Sequence, residues 1–442
     1  MNLAALRTRH SLALVAAALL SAPLGLLAQA VMVDTSAPPS TVTAIVGGKL
    51  LTITHGTIEN GVLLFQSGKI TAAGPASSVK VPKGATIINA KGMTVYPGLI
   101  DSETNLGLTE VESDRVNNDL VENTEEISPQ MRVSDAFHAE TERIPVDRYN
   151  GITNAIVAPA SEDTMSGQDS FIQLAGRDRD SMILVRDVAL AMNFGQEQKR
   201  GGGRGPAAAS PKFPTTRMGE ITQMRQALID AQEYMRKKAE AKKDFKIDTK
   251  NEALIPYLNG EKPVVLGAYE GYEVEVAMAM AQEFHLKVVL NHVTHAQDIL
   301  DKIASYHVPV IVGPIYDSPG PNERYDAVYS LPAELQKRGV KIAFASYGVE
   351  FNRNLPYAAG YAVAYGLPYD EALKAITLNP AEIFGVADKL GSLDPGKTAN
   401  IVIANGDPLD VRTSVQQVFI DGVSIPMVTR QTRLRDEYTP QK

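Results

Sequence analysis

Short runs of β-branched residues separated by turn residues occupy both ends of the chain, over residues 41–97 and again over 389–430. Runs of this length and spacing indicate small antiparallel strands. Near the second set, Asp421-Gly422 is a hairpin signal. Because an isolated hairpin is only marginally stable in water, we expect the two ends to pair into one composite β-sandwich domain.

Between these ends, continuous apolar runs alternate with amphipathic stretches. The strand-like runs are Val95–Ile100, Ile152–Val157, Val188–Met192, Val264–Leu266, Val288–Leu290, Val308–Val312 and Lys341–Ala345. Apolar strands that alternate with helices predict parallel β/α units. Seven such strands favour a (β/α)8 TIM-like barrel over residues 98–388, with one strand still to be located between Pro159 and Lys262. The predicted fold class is therefore α/β, a barrel plus a small β-sandwich.

The first thirty residues follow a different pattern. Arg7 and Arg9 precede an apolar run from Leu12 to Leu20, and Ala28-Gln29-Ala30 places small residues at a cleavage position. This pattern predicts a secretory signal over residues 1–30 and a periplasmic or secreted mature chain without membrane association. The alternative is an uncleaved membrane anchor, for which the apolar run is short.

Charge and composition narrow the classes of partner. The 442 residues are 44% hydrophobic and carry a net charge of −8, which indicates a globular protein without a general attraction to nucleic acid. A Gly/Arg run over residues 198–214 has the composition of some RNA-binding segments, but in an acidic chain it indicates a surface loop, so no nucleic-acid partner is expected. The acidic loop from Glu110 to Glu126 is either simply a solvated face, or a surface that attracts cationic ligands or a second subunit.

The chain contains seven His and no Cys, so a transition metal would need imidazole and carboxylate ligands. His285 and His307 precede predicted strands and are expected at the bottom of the barrel. His292 and His295 follow a predicted strand. They are therefore expected at the mouth, where barrel enzymes carry their active sites.

Short motifs follow one another along the chain. They are Gly68-Lys69-Ile70, Pro97-Gly98-Leu99-Ile100-Asp101, Ser166-Gly167-Gln168, Asn379-Pro380-Ala381 and Gly391-Ser392-Leu393-Asp394-Pro395-Gly396. In order and spacing they resemble the amidohydrolase superfamily, in its secreted imidazolonepropionase-like and dihydroorotase-like branch. The resemblance extends from Thr41 to Val423 and implies a metal-hydrolase barrel with a β-sandwich built from both chain ends.

The resemblance also implies one or two divalent metals that activate water for attack on an amide or related carbonyl. The positions that carry metal ligands in the family are occupied here by Glu103, Asn105, Gly267, His292 and, depending on a one-residue shift, Ser346 or Tyr347. His292 is the family ligand that remains. It is therefore the predicted metal ligand if zinc is bound.

Two functions are compatible with these residues. In the first, an exported hydrolase of amide or cyclic amide bonds uses Glu103 as base or metal ligand, His292 as ligand or acid–base group, and Tyr347 or Tyr269 to polarise the carbonyl. In the second, an inactive protein of the same fold binds a small amide or peptide-like ligand, or partners an active relative in a hetero-oligomer; a homo-oligomer is the other expected assembly. The remaining expected ligand-binding residues are Asn105, Gln168, Tyr269, Glu270 and His295. The purely structural alternative is that Glu103 binds loop amides and His292 binds a carboxylate.

Overall fold

The computed structural model describes residues 32–111, 115–122, 124–194, 213–214, 216–241, 244–320 and 323–439. The predicted signal and most of the Gly/Arg run lie outside these ranges. Within them, two eight-stranded sheets and the helices around them form the molecule. None of the helices in this part of the chain is long and apolar enough to cross a bilayer.

The two ends of the chain build the first sheet, and the middle of the chain builds the second. The first sheet begins with β1 (Thr43–Leu51), β2 (Thr57–Gln66), β3 (Lys69–Pro75), β4 (Thr86–Asn89) and β5 (Thr94–Pro97). The second sheet contains β6 (Leu99–Thr104), β7 (Ile152–Val157), β8 (Met165–Gln173), β9 (Ile183–Asn193), β10 (Val264–Gly267), β11 (Val288–Val293), β12 (Val310–Val312) and β13 (Ile342–Phe344). The first sheet is completed by β14 (Ile401–Ala404), β15 (Val415–Ile420) and β16 (Val423–Ile425).

The helices lie mostly between the strands of the second sheet. They are α1 (Val133–Ala136), α2 (Arg143–Arg148), α3 (Arg179–Met182), α4 (Arg217–Glu240), α5 (Thr249–Leu258), α6 (Gly271–Glu283), α7 (Leu300–Ser305), α8 (Ala327–Lys337), α9 (Leu355–Ala364), α10 (Tyr369–Ala375), α11 (Leu378–Ile383) and α12 (Arg430–Tyr438). The described residues also contain 3₁₀ turns at Arg115–Asn117, Gln297–Ile299 and Asn352–Asn354.

The first sheet joins the two ends of the chain. Its order is β16-β15-β14-β5-β1-β2-β3, with β4 also paired to β1. The joint is the antiparallel pair β5–β14, in which Pro97 lies opposite Ile401. Phe65 from the N-terminal part meets Phe419 from the C-terminal part edge to face, with 5.2 Å between ring centroids. One buried core therefore holds both ends together.

The second sheet is the barrel that the sequence pattern predicts. Its strands follow the chain order from β6 to β13. The amide of Tyr347, just after β13, donates to the carbonyl of Glu103 in β6 at 3.0 Å and closes the seam at the mouth. The interior below the mouth is filled by apolar side chains such as Phe171, Val265 and Val289. The α/β barrel with an additional sheet domain is thus confirmed.

One barrel strand differs from the expected pattern. The strand still to be located between Pro159 and Lys262 is β8, and it pairs antiparallel with both β7 and β9. The β7–β8 connection, residues 158–164, is too short for a parallel crossover, which needs a dozen or more residues. The motif Ser166-Gly167-Gln168 lies in this strand rather than in a turn.

The predicted strand Val95–Ile100 is divided between the two sheets. β5 belongs to the first sheet and β6 to the barrel, with Gly98 between them. A β carbon at Gly98 would lie 2.1 Å from the hydroxyl oxygen of Thr153 in β7. The absence of a side chain at this position lets the chain pass from one sheet to the other against the barrel wall.

Candidate functional site

Glu103 lies at the mouth end of β6 and is 7% exposed. The side-chain amide of Asn291, in β11, donates a hydrogen bond to the Glu103 carboxylate. Nε2 of His292 lies 3.3 Å from Oε1 of Glu103. The two atoms are close without forming a hydrogen bond, because neither ring nitrogen of His292 has a hydrogen-bond partner among the described residues.

Two tyrosines enclose the imidazole of His292. The ring of Tyr269 stacks on one side with centroids 4.8 Å apart, and the ring of Tyr347 stacks on the other at 4.4 Å. The hydroxyl of Tyr347 donates to Oδ1 of Asn291 at 3.1 Å. We call Glu103, Asn291, His292, Tyr269 and Tyr347 the mouth cluster.

Two members of the mouth cluster have strained backbones. His292 has φ of 57° and Tyr347 has φ of 64°. Bulky residues rarely occupy this left-handed region, and each such residue costs on the order of 1–3 kcal/mol. His292 also sits in an irregular part of β11, where the register with β12 shifts between Leu290 and Val293. Strain of this kind concentrates at functional sites, so its location at the barrel mouth favours a functional role.

The structure separates Ser346 from Tyr347, which the sequence left as alternatives. The hydroxyl of Ser346 faces the seam, where it donates to the carboxyl of Asp101 and lies 2.9 Å from Oδ1 of Asn352. Asn352 in turn donates to Asp147 at 3.2 Å. Tyr347 therefore enters the mouth cluster, and Ser346 belongs to a buried network behind it.

Burial raises the pKa values of two carboxyl groups in this network. It raises the pKa of Asp101 to about 7, although hydrogen bonds from Ser346 and Glu103 act in the opposite direction. Burial also raises the pKa of Asp147 well above its ordinary value. Burial likewise raises the pKa of the Tyr347 hydroxyl, and the charge of Glu103 adds to this effect. Tyr347 is accordingly a hydrogen-bond donor at neutral pH.

Asn105, Glu270 and His295 lie near the mouth but outside the cluster. Asn105 donates from its side-chain amide to the carbonyl of Ala158 at 2.9 Å and ties β6 to the chain after β7. Nδ1 of His295 is 2.7 Å from a carboxylate oxygen of Glu323. His295 and Glu270 line a separate cavity of about 880 Å³.

Gln168 is not brought to the mouth cluster. Its side chain donates to the carbonyl of Pro129 at 3.0 Å and accepts from the hydroxyl of Tyr257, in α5, at 2.8 Å. Alternation along β8 directs it to the outer face of the sheet. The same alternation, applied to this segment as a strand, would have directed attention to the next residue, Asp169.

Part of the acidic loop lies at the mouth. The carbonyl of Glu126 accepts from the amide of Met165 at 2.9 Å, at the mouth end of β8. Glu125 forms an ion pair with Lys250. Glu112 and Asp114 lie outside the described residues.

The donor set does not fit the metal centre that the fold implies. A catalytic zinc needs about three protein ligands, whereas no group of three or more His, Asp or Glu side chains suited to a metal occurs in the described part of the chain. Glu103 and His292 supply two donors, and Asn291 occupies the second oxygen of Glu103. At Gly267, a β carbon would lie 2.6 Å from Oδ1 of Asn193, so a histidine there would displace that side chain.

Known proteins match this chain over different shares of its length. The amidohydrolase tasK of Hapsidospora irregularis is 26% identical over 395 residues, which are 82% of this chain and 40% of tasK. The chain thus spans less than half the length of that relative. An imidazolonepropionase of Thermoplasma volcanium is 34% identical over 105 residues, 22% of this chain and 26% of that protein.

A solved structure and a family model agree with these likenesses. The crystal structure of an amidohydrolase from Thermotoga maritima MSB8 has a TM-score of 0.80 and 28% identity, and the match covers 88% of this chain and 100% of that one. The model of the Amidohydrolase family matches residues 221–425, from α4 to the end of β16. Together with the nearly closed barrel and its additional sheet, these matches show that the chain belongs to the amidohydrolase superfamily.

Proposed function

We propose that the protein hydrolyses an amide or cyclic amide bond, other than a peptide bond, in a small polar molecule bound at the barrel mouth. The observation that carries the proposal is the contact of Glu103 with His292 between two tyrosine rings, at the end of the barrel where this fold carries its active sites. The strained φ angles of His292 and Tyr347 support it.

Glu103, Tyr347 and His292 each have a role that their surroundings support. Glu103 is the general base that removes a proton from the attacking water, since Asn291 and His292 orient its carboxylate. Tyr347 is the donor that polarises the substrate carbonyl, because burial keeps its hydroxyl protonated. His292 lies against the Glu103 carboxylate, with Nε2 3.3 Å from Oε1, and helps to keep it in place.

We further propose that the metal centre of the superfamily is degraded in this chain. The two remaining donors, Glu103 and His292, leave the acid–base pair to act without a metal. If the following experiment finds no turnover, the alternative function is favoured. In that case the protein binds a ligand without turnover, either alone or as the partner subunit of an active relative.

The experiment combines metal analysis with a turnover assay. Purified protein is analysed for zinc and manganese and assayed on a panel of N-acyl amines, dipeptides and cyclic imides, before and after treatment with a chelator. We expect chelator-resistant turnover that Glu103→Gln and His292→Asn each reduce about 100-fold or more. His138→Asn is the control, since the His138 side chain is exposed and contacts Asp119 rather than Glu103. Stoichiometric metal lost from both site variants would contradict metal-free chemistry, and no turnover on any compound would contradict hydrolysis.

We also propose that residues 1–30 are a cleaved secretory signal and that the mature chain is periplasmic or secreted, as a homo-oligomer or with an active relative. The basic residues, apolar run and small residues of this segment support export. Mass spectrometry of the protein recovered from cell fractions should give a chain that begins near Val31. A full-length N-terminus in the membrane fraction would contradict export with cleavage.

A further inference from the structure

A second carboxyl group faces the barrel interior beside the mouth cluster. Asp169 lies in β8, where it pairs with Ala189 of β9, and is 1% exposed. Along this strand, Gln168 points outward to Tyr257 and Phe171 belongs to the apolar core inside the barrel. Asp169 alternates with Gln168, so it shares the inner face with Phe171.

The strand register places Asp169 level with the end of β6. Continuing the antiparallel β7–β8 pairing by one residue sets Asp169 opposite Ala158. The amide of Ala158 donates to the carbonyl of Thr104 at 3.0 Å. Asp169 and Glu103 are therefore at the same end of the barrel, two strands apart on its inner face.

The two carboxyl groups have different surroundings. Oδ1 of Asp169 is buried without a hydrogen-bond partner among the described residues, which favours the neutral form. Burial first, and the charge of Glu103 second, raise the pKa of Asp169 well above its ordinary value. Tyr257 also interacts electrostatically with Asp169, as a neutral hydroxyl. Glu103, by contrast, accepts a hydrogen bond from the side-chain amide of Asn291.

We propose that Asp169 is held as a carboxylic acid and donates the proton to the leaving nitrogen of the substrate. This inference rests on the proposed amide hydrolysis, and it adds to the base Glu103 an acid, Asp169, that its buried surroundings keep protonated. Neither member of such a pair requires a metal.

The proposed step balances in protons and electrons. Water loses a proton to Glu103 while its oxygen forms a bond to the carbonyl carbon. The C–N bond then breaks, its electron pair remains on nitrogen, and nitrogen takes the proton of Asp169. The products are a carboxylic acid and an amine, and transfer of the proton from Glu103 to Asp169 restores the starting state.

The first test needs no turnover. An infrared difference spectrum between the wild type and Asp169→Asn at pH 7 should show the loss of one carbonyl band of a protonated carboxylic acid. Asp410→Asn is the control, because Asp410 is partly exposed and Arg412 lowers its pKa to about 2, so the substitution should remove no such band. Asp169→Ser is a second variant without the carboxyl group, should Asp169→Asn fail to fold. If neither variant that lacks the carboxyl group loses the band, Asp169 is ionised and the proposal is overturned.

The second test compares leaving groups. Matched amides and aryl esters of the same acyl group are assayed, because an aryl ester leaves without needing a proton. Asp169→Asn should lower the ratio of amide to ester rate about 100-fold, whereas Glu103→Gln should lower both rates and keep their ratio. An unchanged ratio in Asp169→Asn would overturn the donor role. If the wild type cleaves neither substrate, the proposed function fails and the donor role with it, while the infrared result still decides the protonation state of Asp169.

Discussion

Replacing Asp101 with Asn tests the charge of the carboxyl group buried at the seam between β6 and β13. Asp101 is 1% exposed. One oxygen accepts from the amides of Ser346 at 3.0 Å and Glu103 at 3.3 Å, and the other accepts from the Ser346 hydroxyl. The Asn variant keeps an acceptor for both amides. Its new donor is tolerated because the Ser346 hydroxyl has Asn352 as another acceptor.

The magnitude follows from the pKa of Asp101, which burial raises from 3.8 to about 7. The folded protein retains a proton that the unfolded chain releases, so the free energy of unfolding falls as pH rises from about 4 to about 7. A pKa difference of about 3 corresponds to about 4 kcal/mol, all of which is lost above pH 7. Asn cannot ionise, so the variant should lack this loss.

Urea unfolding between pH 5 and pH 8 measures the effect. The free energy of unfolding of Asp101→Asn, relative to the wild type, should increase by about 3 kcal/mol over this range. Asp410→Asn serves as the control, because its hydrogen bond from Arg412 lowers the pKa of Asp410 to about 2, outside the range tested. Parallel pH profiles for Asp101→Asn and the wild type would refute the argument that burial dominates at this carboxyl group.

Two further substitutions test the fold and the site. Gly98→Ala should lower the free energy of unfolding by about 1–3 kcal/mol, because the new β carbon meets Thr153. Gly348→Ala is the control and should change this free energy little, because a β carbon there meets nothing within 4 Å. Equal effects of the two substitutions in urea unfolding would contradict the steric explanation. Tyr347→Phe removes the hydrogen bond to Asn291 but keeps the ring on His292, so kinetics and urea unfolding should show reduced turnover with a stability loss of only about 1 kcal/mol. Unchanged turnover would remove Tyr347 from the proposed mechanism.

The sequence pattern predicted the barrel well because most of its strands are continuous apolar runs. It missed β8, whose residues Ser166, Gln168 and Asp169 are polar although the strand is buried on both faces. Polar residues in a buried strand are satisfied by partners distant in sequence, such as Tyr257 for Gln168. Alternation of apolar and polar residues therefore gives no clear signal for such a strand.

Which side chains the sequence brings together at the mouth depends on where the strands end. Glu103 and His292 follow from the rule that the carboxyl ends of parallel strands meet, and the structure places them in contact. His295 follows only three residues later, but Glu323 directs it into a different cavity. Whether Ser346 or Tyr347 enters the mouth depended on the φ of a single residue, which a sequence does not reveal.

The hydrogen bond from the amide of Tyr347 to the carbonyl of Glu103 also determines when the mouth cluster can form. It joins the first barrel strand to the residues after the last one, so the mouth cluster is complete only after nearly the whole barrel has been synthesised. Closing such a long loop is slow, because its entropy is lost before the contacts that offset it are made. A growing chain therefore lacks the complete mouth cluster, which forms only when the two ends of the barrel meet.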